Sequence, residues 1–262
     1  MKPVLSVQGL QQNYGGFQAL KGIDFELTAG ECVALIGPNG AGKSTCFACL
    51  AGQQNAAAGH VLWRGHDLQK VSVAQRTGLG VARTFQVAQV FEALTVLQNM
   101  QLVLQAKQGV SMRDVLSDCL LQEAMHWIEE AGLSDLGPDM LRSPADRLSY
   151  GGKKRLELAM AMAGLPNPSE GLMLLDEPAA GLSPEERLDM MDRVKRMTDG
   201  GTTVLYTEHN MDAVFGVADR VLVLIDGQLV AQGTAQEVAA NDVVRQRYLG
   251  QAFTFNGGAG HA

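Results

Sequence analysis

No stretch of the 262-residue chain approaches the roughly 18 consecutive apolar residues that a membrane-spanning helix needs. Met1-Lys-Pro-Val lacks the charged and apolar regions of a secretory signal. Both absences lead us to expect a globular chain that does not itself enter a bilayer. A basic surplus is missing too. The formal charge is −7, which argues against nucleic acid as a main partner because phosphate-backbone binding draws on a net-basic face. Cysteines are few and do not frame loops. Cys32, Cys46, Cys49 and Cys119 fall in strand or helix patterns, as reduced thiols in a cytoplasm do. Cys46 and Cys49 have Cys-x-x-Cys spacing, yet no second pair or His pair completes a metal site, so they read as core thiols. With 46% hydrophobic residues, there is ample material for a full core.

What the chain does have is a phosphate-binding loop. Gly37, Pro38, Asn39, Gly40, Ala41, Gly42, Lys43, Ser44 and Thr45 follow an apolar run, Cys32 to Ile36, and precede helix-compatible residues to Leu50. Glycines at 37, 40 and 42 permit a tight turn that points successive N–H groups at phosphate oxygens, next to the positive end of the following helix. Lys43 adds a charge between the β- and γ-phosphates, and Ser44 a hydroxyl for Mg²⁺. The expected ligands are ATP and Mg²⁺.

Around this loop the pattern alternates between strand and helix. Val4 to Leu27 reads as antiparallel strands about Asn13-Tyr-Gly-Gly16, and Gly59 to Gly65 as another strand of the same sheet. From Thr95 the period becomes helical: Leu97, Met100 and Leu104 share a face, and Thr95 with Gln98 forms a capping box. A further helix is expected from Ser111 to about Ala131, ending at Gly132. Residues 171–176 and 202–207 have the length of central parallel strands, with a capped helix starting at Ser183-Pro-Glu-Glu186 between them. Val221 to Ala231 reads as a hairpin on Asp226-Gly227. The expected fold is α/β: a P-loop NTPase core with an antiparallel β subdomain and an inserted α-helical lobe at about 90–165. One domain spans 1–250, and 251–262 is a flexible tail.

Asp176 and Glu177 end a buried run, at the carboxyl edge where α/β sheets bind ligands. Asp176 is suited to hold Mg²⁺ through its water shell, and Glu177 to orient or deprotonate the attacking water. His209 follows the next strand onto the same edge. Taken alone it reads as a surface histidine.

Leu148-Ser-Tyr-Gly-Gly-Lys-Lys-Arg155 completes a set that resembles the ATP-binding cassette (ABC) ATPase family over essentially the whole chain. The resemblance implies that Ser149 and Gly151 cap the γ-phosphate held by an opposite subunit, so that two cassettes close head to tail. It implies that Tyr14 stacks on adenine, that Gln86 links Mg²⁺ and the nucleophilic water to the helical lobe, and that His209 senses phosphate. Departures occur at Tyr150, Gly152 and Ser183, where the commonest family pattern has Gly, Gln and Asp, and at Met160, where many relatives have Arg. Tyr150, Ala82-Arg-Thr-Phe-Gln86, Asp176-Glu-Pro-Ala-Ala-Gly-Leu182, Glu208-His-Asn-Met211 and Tyr248-Leu-Gly250 are similar to the ATPase subunits of branched-chain amino-acid importers.

That resemblance implies an ATPase energising amino-acid uptake through separate membrane subunits. It would sit peripherally on the cytoplasmic face of the inner or plasma membrane, pair with a second cassette, itself or a paralogue, dock near Val87 to Phe91 and act indirectly with a solute-binding protein. Amide or urea uptake, lipopolysaccharide export, a soluble non-transport ABC ATPase and a small-molecule kinase remain as alternatives.

Overall fold

The computed structural model describes residues 2–109 and 120–250. The tail at 251–262, the first part of the helix expected from Ser111, and Cys119 lie outside them. Strands β1 (Leu5–Tyr14) and β2 (Phe17–Leu27) form the expected hairpin, with Leu5 opposite Leu27 and Tyr14 opposite Phe17. The chain then enters β3 (Cys32–Ile36), buried at all five positions, and turns directly into α1 (Lys43–Ala51). β4 (Ala58–Trp63) pairs antiparallel with β1, and β5 (His66–Asp67) with β4, completing a four-stranded sheet in the order β2-β1-β4-β5.

After α2 (Val73–Gly78) comes β6 (Val81–Arg83), then the helices α3 (Val96–Gln108), α4 (Leu121–Glu130), α5 (Gly137–Leu141) and α6 (Tyr150–Ala163). Alternation resumes with β7 (Leu172–Asp176), α7 (Pro184–Asp199), β8 (Thr203–Thr207) and α8 (Met211–Phe215). The hairpin β9 (Arg220–Ile225) and β10 (Gln228–Gly233) leads to α9 (Ala235–Ala240). The second sheet runs β10-β9-β3-β8-β7-β6 and is parallel except for β10.

Burial on both faces explains why its central strands are continuously apolar. Along β3, Val33 and Leu35 join one core with Phe47, Trp63 and Leu174, while Cys32, Ala34 and Ile36 join another with Met173, Tyr206 and Val194. A third core holds the helices together through Val96, Met100, Leu104, Ile128 and Leu156. Leu97, expected on the buried face of α3, is only half-buried, because the first turn aims Val96 inward instead. Burial drives the Cys32 thiol pKa up to about 12 and that of Cys49 to about 11, and raises that of Cys46 too, so these are unreactive core groups.

Candidate active site

The phosphate loop is shaped from outside as well as by its own sequence. At Gly37 (φ +149°) a Cβ would stand 1.9 Å from the Leu224 carbonyl oxygen of β9, and at Gly42 (φ +106°) 2.6 Å from that of Ala19 in β2. Only glycine admits those two carbonyls while keeping these dihedrals. Lys43 folds back over the loop, its ammonium donating to Gly37 O at 2.7 Å and Pro38 O at 3.1 Å. Burial lowers its pKa, opposed by the nearby charges of Glu177 and Asp176. Ser44, Asn39 and Gly40 are exposed at the mouth of the loop, Thr45 is half-buried and Ala41 is buried.

The two acids at the end of β7 have different environments. Asp176 accepts from the Thr207 hydroxyl at 2.9 Å on Oδ1 and pairs with the Arg83 guanidinium at 2.7 Å on Oδ2. That guanidinium lies over the rings of Phe47 and Phe85. Glu177 has φ +47°, a left-handed conformation that a side-chain-bearing residue keeps only when its neighbours impose it. Its N–H donates to Thr207 Oγ1 at 3.0 Å, its Oε2 accepts from Gln86 Nε2 at 2.9 Å, and its Oε1 lies 2.7 Å from His209 Nε2. Gln86, Glu177 and His209, expected from three separate stretches of sequence, thus meet at one carboxylate.

His209 is set by the residue before it. Glu208, 4% exposed, accepts from the backbone N–H groups of Ala179 at 2.8 Å and His209 at 3.2 Å. Burial raises its pKa against those bonds. The arrangement holds a carboxylate between a histidine nitrogen and an amide, and suits alignment of a water against a phosphate.

Among the described residues no cluster of three His, Cys, Asp or Glu could cage a metal alone. Mg²⁺ takes most of its ligands from water and phosphate, so the single Asp176 carboxylate with the exposed Ser44 hydroxyl fits that ion.

The other expected residues lie apart from this cluster. Tyr14 sits at the turn end of the first hairpin, just before Gly15 and Gly16, 45% exposed. Ser149 caps α6, its hydroxyl accepting from Gly152 N–H at 3.1 Å, and Gly151 is buried where a Cβ would stand 2.5 Å from Glu186 Oε1. Both signature residues therefore make their contacts here on their own side of the fold. The sequence reading gave no role to Thr207 or Arg83. Thr207 is in register with Asp176 on the neighbouring strand, so a hydroxyl ending an apolar run beside an acid-ending run was the available signal.

Comparison with known proteins identifies the family. The family model described as "ABC transporter" matches residues 20–180, more than half of the chain. The high-affinity branched-chain amino acid transport ATP-binding protein LivG of Escherichia coli K12 is 36% identical, with 96% of this chain and 99% of LivG covered. BraF of Pseudomonas aeruginosa, described likewise, is 31% identical over the same shares. Among solved structures, an ATP-binding cassette of an ABC transporter in its ADP conformation superposes with a TM-score of 0.82 at 27% identity, covering 96% of this chain and 100% of that one. A nucleotide-free cassette gives 0.81 at 26% identity, covering 95% and 100%. The chain belongs to the ABC transporter family, as an ATP-binding and ATP-hydrolysing cassette.

Proposed function

We propose that this cassette energises uptake of branched-chain or related amino acids through separate membrane subunits. The observation that carries the catalytic part is Glu177, strained at φ +47° and held between Gln86 and His209. In this reading residues 37–45 grip the phosphates, with Lys43 released from its own carbonyls to do so. Asp176 and Ser44 hold Mg²⁺ with help from Gln86, and that ion offsets the charge developing on the phosphates. Glu177 orients the attacking water and takes its proton, and His209 reports the γ-phosphate. Tyr14 stacks on adenine.

One loop and one signature per chain complete two sites only when two cassettes close head to tail, with Ser149 and Gly151 capping the nucleotide of the opposite chain. Among the described residues no helix is long and apolar enough to cross a membrane. Val87 and Phe91, 66% and 52% exposed beside Gln86, offer apolar surface for permease subunits at the cytoplasmic face. A solute-binding protein then acts indirectly, through those subunits. The names borne by LivG and BraF support amino acids as the cargo.

Glu177→Gln preserves shape while removing the base. It is expected to keep MgATP binding and to lose hydrolysis by a hundredfold or more, the usual share of a general base. ATPase assay with equilibrium dialysis of labelled ATP tests this, and wild-type turnover in that variant would remove Glu177 from catalysis. Reconstitution with the permease subunits that co-purify with the chain, assayed for labelled leucine uptake, tests the cargo.

A further inference from the structure

Residues 84–90 carry Gln86 in a segment with neither helix nor strand, so its backbone groups must find partners elsewhere. Four of those bonds go to one stripe of α6. The Tyr150 hydroxyl donates to Gln86 O at 3.0 Å, and the Lys154 ammonium to Phe85 O at 2.8 Å. Glu157 Oε1 accepts from both Phe85 N–H at 3.1 Å and Gln89 N–H at 3.0 Å. Positions 150, 154 and 157 follow the i, i+4, i+7 spacing of a helix face.

The two charged members are almost wholly covered, Lys154 at 2% and Glu157 at 5% exposure. Burial lowers the lysine pKa and raises that of the glutamate, each opposed by the charge of the other. Ion-bearing side chains this deep are costly unless their hydrogen bonds are made, and here the loop backbone makes them. Nothing in phosphate or metal binding uses either group. α6 is capped at its N-terminus by Ser149, the residue read as the cap on the opposite chain's nucleotide.

We propose that Tyr150, Lys154 and Glu157 are positioning residues that clasp the Gln86 segment to α6, so that the loop and the signature move as one body. Resting on the head-to-tail reading above, this gives the clasp a consequence for the pair of sites. Gln86 serves the chain's own nucleotide and already rests on Glu177 in the lone chain, while Ser149 serves the other, so the clasp fixes where the signature stands relative to a Gln86 that is already in place. Tyr150, a departure from the commonest signature, becomes a third tie rather than a lost contact.

The test uses the full-length chain with three substitutions. Tyr150→Phe deletes one hydroxyl, Glu157→Gln keeps an acceptor oxygen, and Glu157→Ala removes it. Steady-state kcat and KM for MgATP are measured with melting temperature, and hydrogen exchange is followed at the Phe85 and Gln89 amides. For Glu157→Ala we expect a kcat loss of about tenfold with KM within about twofold, as for an interaction felt in the transition state, and faster exchange confined to 85–91. Glu157→Gln should recover most of the rate, and Tyr150→Phe should lose about threefold. Wild-type kcat in Tyr150→Phe and Glu157→Ala overturns the clasp, as does exchange that rises across the whole chain rather than at the loop. A hydrolysing Glu177→Gln would sink the catalytic reading instead, and the exchange measurement decides the clasp without it.

Discussion

Thr207→Val replaces a side chain by one of nearly equal shape and removes the hydroxyl that joins the two acids. Thr207 is 1% exposed, so little solvent waits to replace what is lost. Its Oγ1 donates to Asp176 Oδ1 and accepts from the Glu177 N–H. An orphaned buried amide costs about 1–3 kcal/mol, and a lost hydrogen bond to a carboxylate about 1.5–3 kcal/mol. Together they put the destabilisation near 3–5 kcal/mol. At about 2–4 °C per kcal/mol for a chain of this size, melting should fall by on the order of 10 °C.

Activity should fall independently of melting. The left-handed backbone at Glu177 holds about 1–3 kcal/mol of strain, and the Thr207 bond is what fixes the N–H end of that residue. Freed, the carboxylate leaves the line between Gln86 and His209, and hydrolysis measured well below the melting point should drop at least tenfold. Thr207→Ser retains the hydroxyl and should restore both properties. Circular-dichroism melting beside an ATPase assay decides the matter. A valine variant that melts within about 2 °C of wild type and turns over normally would refute the bridging role.

Two further outcomes follow from other parts of the structure. Glu31 is bound to Arg220 at 2.7 and 3.1 Å. Burial raises its pKa, yet the Arg220 and Thr28 hydrogen bonds outweigh this and hold it below the ordinary 4.5. Its stabilising contribution is fully present above pH 4.5 and is lost as pH falls through the depressed value. Glu31→Gln should therefore lower the melting temperature at neutral pH and flatten its fall below pH 4.5, and parallel acid profiles for the two proteins would contradict this. Gly37→Ala must push its methyl group into the Leu224 carbonyl, 1.9 Å away. ATP binding by equilibrium dialysis should be lost, and unchanged affinity would show that the loop does not need this approach.

Local signals in the sequence translated well into structure. The capping boxes at Thr95 and Ser183 are both formed, and Asp226 and Gly227 both take positive φ, as a tight hairpin turn requires. Such features depend on residues three or four apart. β6 escaped because three residues cannot display a period, and it is a strand only because β7 lies beside it. Catalytic candidates at the ends of β7 and β8 were legible from motif and strand position. Their supports were not: Arg83 reaches Asp176 across 93 residues of sequence, and Glu177 reaches Thr207 across 30. Tyr150 stood out as a departure from a pattern, and only the folded chain shows that its hydroxyl meets the Gln86 carbonyl.

The position of β3 also has a consequence during synthesis. Its two sheet neighbours are β8 and β9, neither of which begins before residue 203. At a translation rate of roughly 5–20 residues per second, the strand that ends in the phosphate loop spends on the order of ten seconds or longer with both edges open. During that interval its apolar side chains and unpaired amides are available to chaperones or to other nascent chains. The first hairpin and the inserted helices, built from closer contacts, can form while β3 waits. The phosphate loop is thus translated long before the strands that fix its position in the sheet.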